Sequence, residues 1–79
     1  MNGGRLSNDA AFLIGVEELK AQLAADAPDA QAAERALTRI LIRYPEEGEA
    51  LAASWRRSES AVCTQLLADL EQQHAEEND

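Results

Sequence analysis

The chain has 79 residues, a formal charge of -8 and a hydrophobic fraction of 46%, which allows one small domain and disfavours nonspecific attraction to nucleic acid or anionic membranes. Alanine supplies 16 of the apolar residues, so close helix packing is expected with few bulky anchors. A lone cysteine excludes an internal disulfide, the Cys and His spacings of structural zinc are missing, and no apolar run approaches the roughly 20 residues of a membrane span.

Residues 1 to 8, with two glycines and small polar side chains, read as a flexible arm. They lack the basic-then-apolar layout of a secretory signal, so a cytoplasmic location is expected. Ser7, Asn8 and Asp9 are N-cap candidates for a first helix over 9–25. Its apolar stripe is Phe12, Val16, Leu19 and Leu23, broadened by Leu13 and Ile14. Gly15 interrupts this helix at a cost of about 1 kcal/mol relative to alanine, which a close helix crossing offsets. Asp26-Ala27-Pro28-Asp29 ends it and starts a second helix over 28–43, with Ala33, Leu37, Ile40, Leu41 and Tyr44 inward. Tyr44-Pro45 breaks the pattern, and Glu46, Glu47 and Gly48 form an acidic turn.

A third helix is expected over 47–74, because Leu51, Trp55, Val62, Cys63, Leu66, Leu67 and Leu70 share one broad face from Glu49 to His74. A kink or break between Ser54 and Ser60 is the alternative, since Ser58 and Ser60 compete for backbone hydrogen bonds. Residues 75–79 read as an acidic tail, with 9–74 as the single domain. The expected fold is all-α: a three-helix antiparallel bundle, a hairpin plus one long C-terminal helix. That long helix, about 39 Å, would outreach its two partners at about 25 Å each. Its uncovered face predicts a homodimer or a protein partner.

Ala33, Leu37, Ile40 and Pro45, followed by Glu49-Ala50-Leu51, resemble the second helix of a tetratricopeptide repeat running into the next. The likeness covers about 20 residues and implies a helix-turn-helix unit. Ser54 and Trp55 depart from the repeat's register, and no family function is carried across.

Charge is segregated. Residues 35 to 57 are locally basic, whereas residues 58 to 79 hold no lysine or arginine at all. Arg35, Arg39 and Arg43 recur every four residues and form a ridge along the second helix. Such a ridge either pairs with neighbouring carboxylates or receives an acidic partner or phosphates. Trp55, with Val62, Leu66 and Leu70, is the expected apolar contact surface for a partner. Cys63 reads as a buried thiol, and His74 stands alone in a polar segment with no nucleophile or second metal ligand beside it. No catalytic, cofactor or metal site is expected.

These features predict a small acidic, non-enzymatic interaction module of bacterial or phage origin, an adaptor, chaperone-like or inhibitory protein that binds by helix packing. Two other readings use the same residues. One is a DNA-binding regulator that employs the arginine ridge; the other is an acidic phage-encoded inhibitor that mimics nucleic acid.

Overall fold

The computed structural model describes residues 8–77. Among these the fold is all-helical, with α1 at Asn8–Ala24, α2 at Ala30–Arg43, α3 at Pro45–Arg56 and α4 at Ser60–Glu77. Most of the expected arm, including the cap candidate Ser7, and the last two residues of the tail lie outside the described residues.

The α1–α2 turn is built by side chains. Asp29 caps α2, its carboxylate accepting from Gln31 N at 2.9 Å and Ala32 N at 3.4 Å. Gln22, near the end of α1, accepts from Asp29 N at 2.7 Å and ties the cap to the preceding helix. A cap of this type contributes about 1 kcal/mol. Tyr44 alone separates α2 from α3, with φ -132° and ψ 82°. Proline next to it forbids the helical conformation at Tyr44, then suits the first position of α3.

The expected third helix is two helices. At Ser58 the backbone enters the left-handed region, φ 60°, while Glu59 N donates to Ser54 O and Ser58 N to Trp55 O, both at 3.0 Å. These bonds form a Schellman-type C-cap, which closes α3 and turns the chain back. The apolar period survives the break, which is why it reads as continuous in the sequence. Folding α4 onto α3 brings Cys63 beside Ser54, with Sγ and Oγ 3.1 Å apart, under the Leu51 carbonyl that Ser54 Oγ also reaches at 2.8 Å. α3 and α4 span 12 and 18 residues, so the helix of about 39 Å whose uncovered face predicts a homodimer does not form.

The helices alternate in direction. Arg43 meets Asp9 and Asp29 meets Gln22 across α1 and α2. Arg56 meets Glu34 across α2 and α3, and Gln73 meets Glu47 across α3 and α4. Phe12 on α1 stacks on His74 of α4 while Lys20 reaches Glu71, so the circuit closes with α1 antiparallel to α4. One core fills the middle, centred on Phe12, Val16, Leu19, Leu37, Ile40, Leu51 and Leu67. Leu13 and Ile14 leave the expected stripe and face outward, exposed at 51% and 37%. They lie about 100° and 200° around α1 from Phe12, beyond the arc its two neighbours cover. Val62 is likewise exposed at 46% rather than inward.

Two glycines set the closest approaches. A Cβ on Gly15 would stand 2.7 Å from the Ala36 carbonyl and 3.0 Å from Arg39 Cβ, so α1 and α2 touch backbone to backbone there. Gly48 plays the same part for α3, where a Cβ would come within 3.0 Å of Leu41.

Candidate functional site

α1 contacts α4 far less extensively than any other neighbouring pair in the circuit. At one end Phe12 and His74 fill the seam, with ring centroids 4.7 Å apart. Beyond Lys20 the side chains shorten: Ala24 on α1 faces Thr64 and Ala68 on α4, above a floor of Leu23 and Leu67. Side chains this small do not fill the space between the two helices. The result is an open groove of about 390 Å³ with Lys20 and Glu71 at its rim.

Lys20 Nζ donates to Glu71 Oε1 at 2.8 Å across that rim and lies 3.9 Å from Glu17. The hydrogen bond to Glu71 leads the effects that hold the Lys20 pKa above the usual lysine value. Both side chains remain substantially exposed, so the pair is weakly held. On α4 Asp69 and Glu76 have glutamine neighbours, Gln65 at 3.0 Å and Gln72 at 3.2 Å, and no cation within ion-pair distance among the described residues.

The shut end of the seam is a polar-aromatic cluster that the sequence reading missed. His74 is 7% exposed, against Phe12 and edge-on to Tyr44. Tyr44 Oη donates to Glu77 at 2.9 Å and lies 3.2 Å from His74 Nδ1. The tautomer of the imidazole sets which atom donates in the Tyr44–His74 contact, and the same Nδ1 lies 4.0 Å from Asp9. Burial pushes the Tyr44 pKa up to about 12. The Tyr44 hydrogen bond, aided by Gln73 and Arg43, pulls Glu77 below the usual glutamate value. Arg43 joins both ends of the cluster, bonding Asp9 at 3.0 Å and Glu77, with its guanidinium 4.5 Å over the Tyr44 ring. These contacts keep α4 helical through Glu77, so residues 75 to 77 are anchored helix and not tail. The signal was available: Cys63, Leu67, Leu70 and His74 follow spacings of 4, 3 and 4.

The sequence-predicted partner residues fall in different environments. Arg39 pairs with Glu18 and Arg43 with Asp9 and Glu77, whereas Arg35 is exposed with no ion pair among the described residues. Trp55 and Leu66 are half-buried against the core, Leu70 is part of it, and Val62 is exposed. Arg56 is bound to Glu34, whose hydrogen bond raises its pKa. The ridge lies on α2 and Val62, Leu66 and Leu70 on α4, the diagonal helix of the circuit, with Trp55 on α3 between them. Cys63 is fully buried. Among the described residues no cluster of His, Cys, Asp and Glu could hold a metal, and no helix is long and apolar enough to cross a membrane.

The comparisons with known proteins add no assignment: no protein family, curated protein or solved structure matches the chain.

Proposed function

We propose that this protein is a non-enzymatic, cytoplasmic interaction module of bacterial or phage origin, an adaptor, chaperone-like or inhibitory protein that takes a helix of a partner protein into the α1–α4 groove. One observation carries the reading: the α1–α4 seam, the least contacted in the circuit, leaves Leu23 and Leu67 at the base of an open groove. Helix packing is the contact such a groove offers, because the walls are helices and an added helix would complete the layer. The DNA-binding alternative is weaker on charge grounds, since Arg39 and Arg43 already satisfy carboxylates of α1 and α4.

Affinity capture from the native host tests the reading. A protein retained by the wild type should be lost with Ala68→Arg, which places a long cation in the groove from an exposed position. Circular dichroism should be unchanged. Equal retention by both forms moves the binding surface away from this seam.

A further inference from the structure

We infer that the occupant of the α1–α4 groove is an amphipathic helix from a basic protein, and that Glu71 exchanges Lys20 for a lysine or arginine on that helix. The inference rests on the proposed reading of the groove and adds the chemistry of what fills it. Three features support it.

The groove's length comes first. Its α4 wall runs from Thr64 to Glu71, two turns or about 10 Å of helix. That length matches apolar anchors at i, i+3 or i+4, and i+7 on an incoming helix. Short walls at Ala24, Thr64 and Ala68 admit such anchors to the leucine floor.

The second feature is charge. α1 and α4, which make the groove, hold one lysine between them, while their carboxylates include Glu17, Asp69, Glu71 and Glu76. α2 and α3 balance arginines against glutamates. Arginines from α2 neutralise Asp9, Glu18 and Glu77 at the far edge of α1 and at the end of α4, but none reaches Glu17, Asp69 or Glu76 among the described residues. α1 and α4 together are thus acidic and only partly compensated, and the charged residues lining the groove itself are the paired Lys20 and Glu71. This acidic pair of helices attracts a basic helix and repels a second copy, which would bring the same acidic faces.

The third feature is the rim ion pair. Lys20 and Glu71 are joined across the groove, and both are exposed. A helix entering the groove must part them, and its own cation replaces the one displaced. Removing Lys20 therefore improves binding, the opposite of what loss of a contact residue ordinarily does.

The test uses the whole protein and two fluorescein-labelled helical peptides of about 18 residues, each with leucines at i, i+3, i+7 spacing, one flanked by lysines and the other by glutamates. Fluorescence anisotropy should show binding of the lysine peptide that weakens at high salt, with the glutamate peptide at least about tenfold weaker. Ala68→Phe fills the groove without altering charge and should weaken the lysine peptide about tenfold or more. Lys20→Ala should bind it severalfold more tightly, and Glu71→Gln more weakly. Unchanged binding by Ala68→Phe would mean diffuse attraction to an acidic surface and would overturn the inference. So would weaker binding by Lys20→Ala, which would make Lys20 a contact and not a placeholder. Glutamate-peptide binding that Ala68→Phe removes would also overturn it, yet would leave the groove as a helix-binding site. If neither peptide binds and the protein instead forms a dimer that Ala68→Phe disrupts, a second copy is the occupant. Absence of all three behaviours removes the groove reading itself.

Discussion

α1 meets its two neighbours in opposite ways. Against α2 it has Gly15, and the Ala36 carbonyl comes so close that a methyl group there would overlap it. Against α4 it has Lys20, Leu23 and Ala24, and the facing side chains leave a groove. Both seams use small residues, so residue size alone does not decide how tightly helices pack. On the α2 side the backbones themselves converge, and short side chains are then required. On the α4 side the Phe12 and His74 rings fill one end of the seam, and the short side chains at the other end leave space.

Adding atoms to each seam tests this contrast most directly. Gly15→Ala should destabilise the fold by about 1–3 kcal/mol, because overpacking against a carbonyl outweighs alanine's better helix propensity of about 1 kcal/mol. Ala68→Leu should be neutral or stabilise by up to about 1 kcal/mol, since the added carbons enter the groove and leave water. Urea unfolding of the two variants reads both numbers, and effects of the same sign would break the contrast.

The turn that sends α4 back towards α1 gives a smaller effect. Ser58 sits at φ 60°, where a side chain costs roughly 1 kcal/mol and glycine is at ease. Ser58→Gly should raise the unfolding midpoint accordingly, while Ser58→Ala should not. A midpoint unmoved by glycine would show that Ser58 is relaxed in the turn.

At the closed end of the α4 seam the expected effect is a change of pH dependence. The folded state holds the Glu77 pKa below its ordinary 4.5, chiefly through the Tyr44 hydrogen bond. The unfolded chain therefore binds the proton first. The resulting stabilisation is complete above the ordinary value and is lost as pH falls through the depressed one. Glu77→Gln should lower stability at neutral pH and flatten this part of the acid limb in midpoints measured from pH 7 to pH 3. An acid limb parallel to that of the wild type would show that the Tyr44 hydrogen bond does not stabilise the Glu77 carboxylate.

Much of the fold could be read locally. Asp26-Ala27-Pro28-Asp29 announces the boundary before α2, which starts at Ala30 behind the Asp29 cap and not at Pro28; Tyr44-Pro45 announces its end, and the spacing of Phe12, Val16 and Leu19 the buried face of α1. Capping, proline geometry and the helical period act over a few residues, so the sequence displays them. Gly15 was also legible as a close crossing, because a glycine inside a helix is costly unless something approaches it. The candidate groove was not legible. None of its residues carries a distinctive signal, and its volume depends on the separation of two helices more than 30 residues apart in the chain.

The all-helical state and the apolar stripes follow from the amino-acid order, through alanine content and a period of 3.6 residues. Long-range contacts made three other decisions. The stripe from Leu51 to Leu70 suits one helix or two, and the left-handed turn at Ser58 is favoured because it lets Cys63 pack against Leu51 and Ser54. His74 continues the apolar spacing of α4 in a polar stretch, and the arrival of Phe12 and Tyr44 from other elements completes its burial. Arg39 and Arg43 look available along α2, and only the position of α1 and the end of α4 supplies the carboxylates that take them. Local chemistry chooses the helices, whereas the distance between them, which no short segment encodes, chooses what is left exposed.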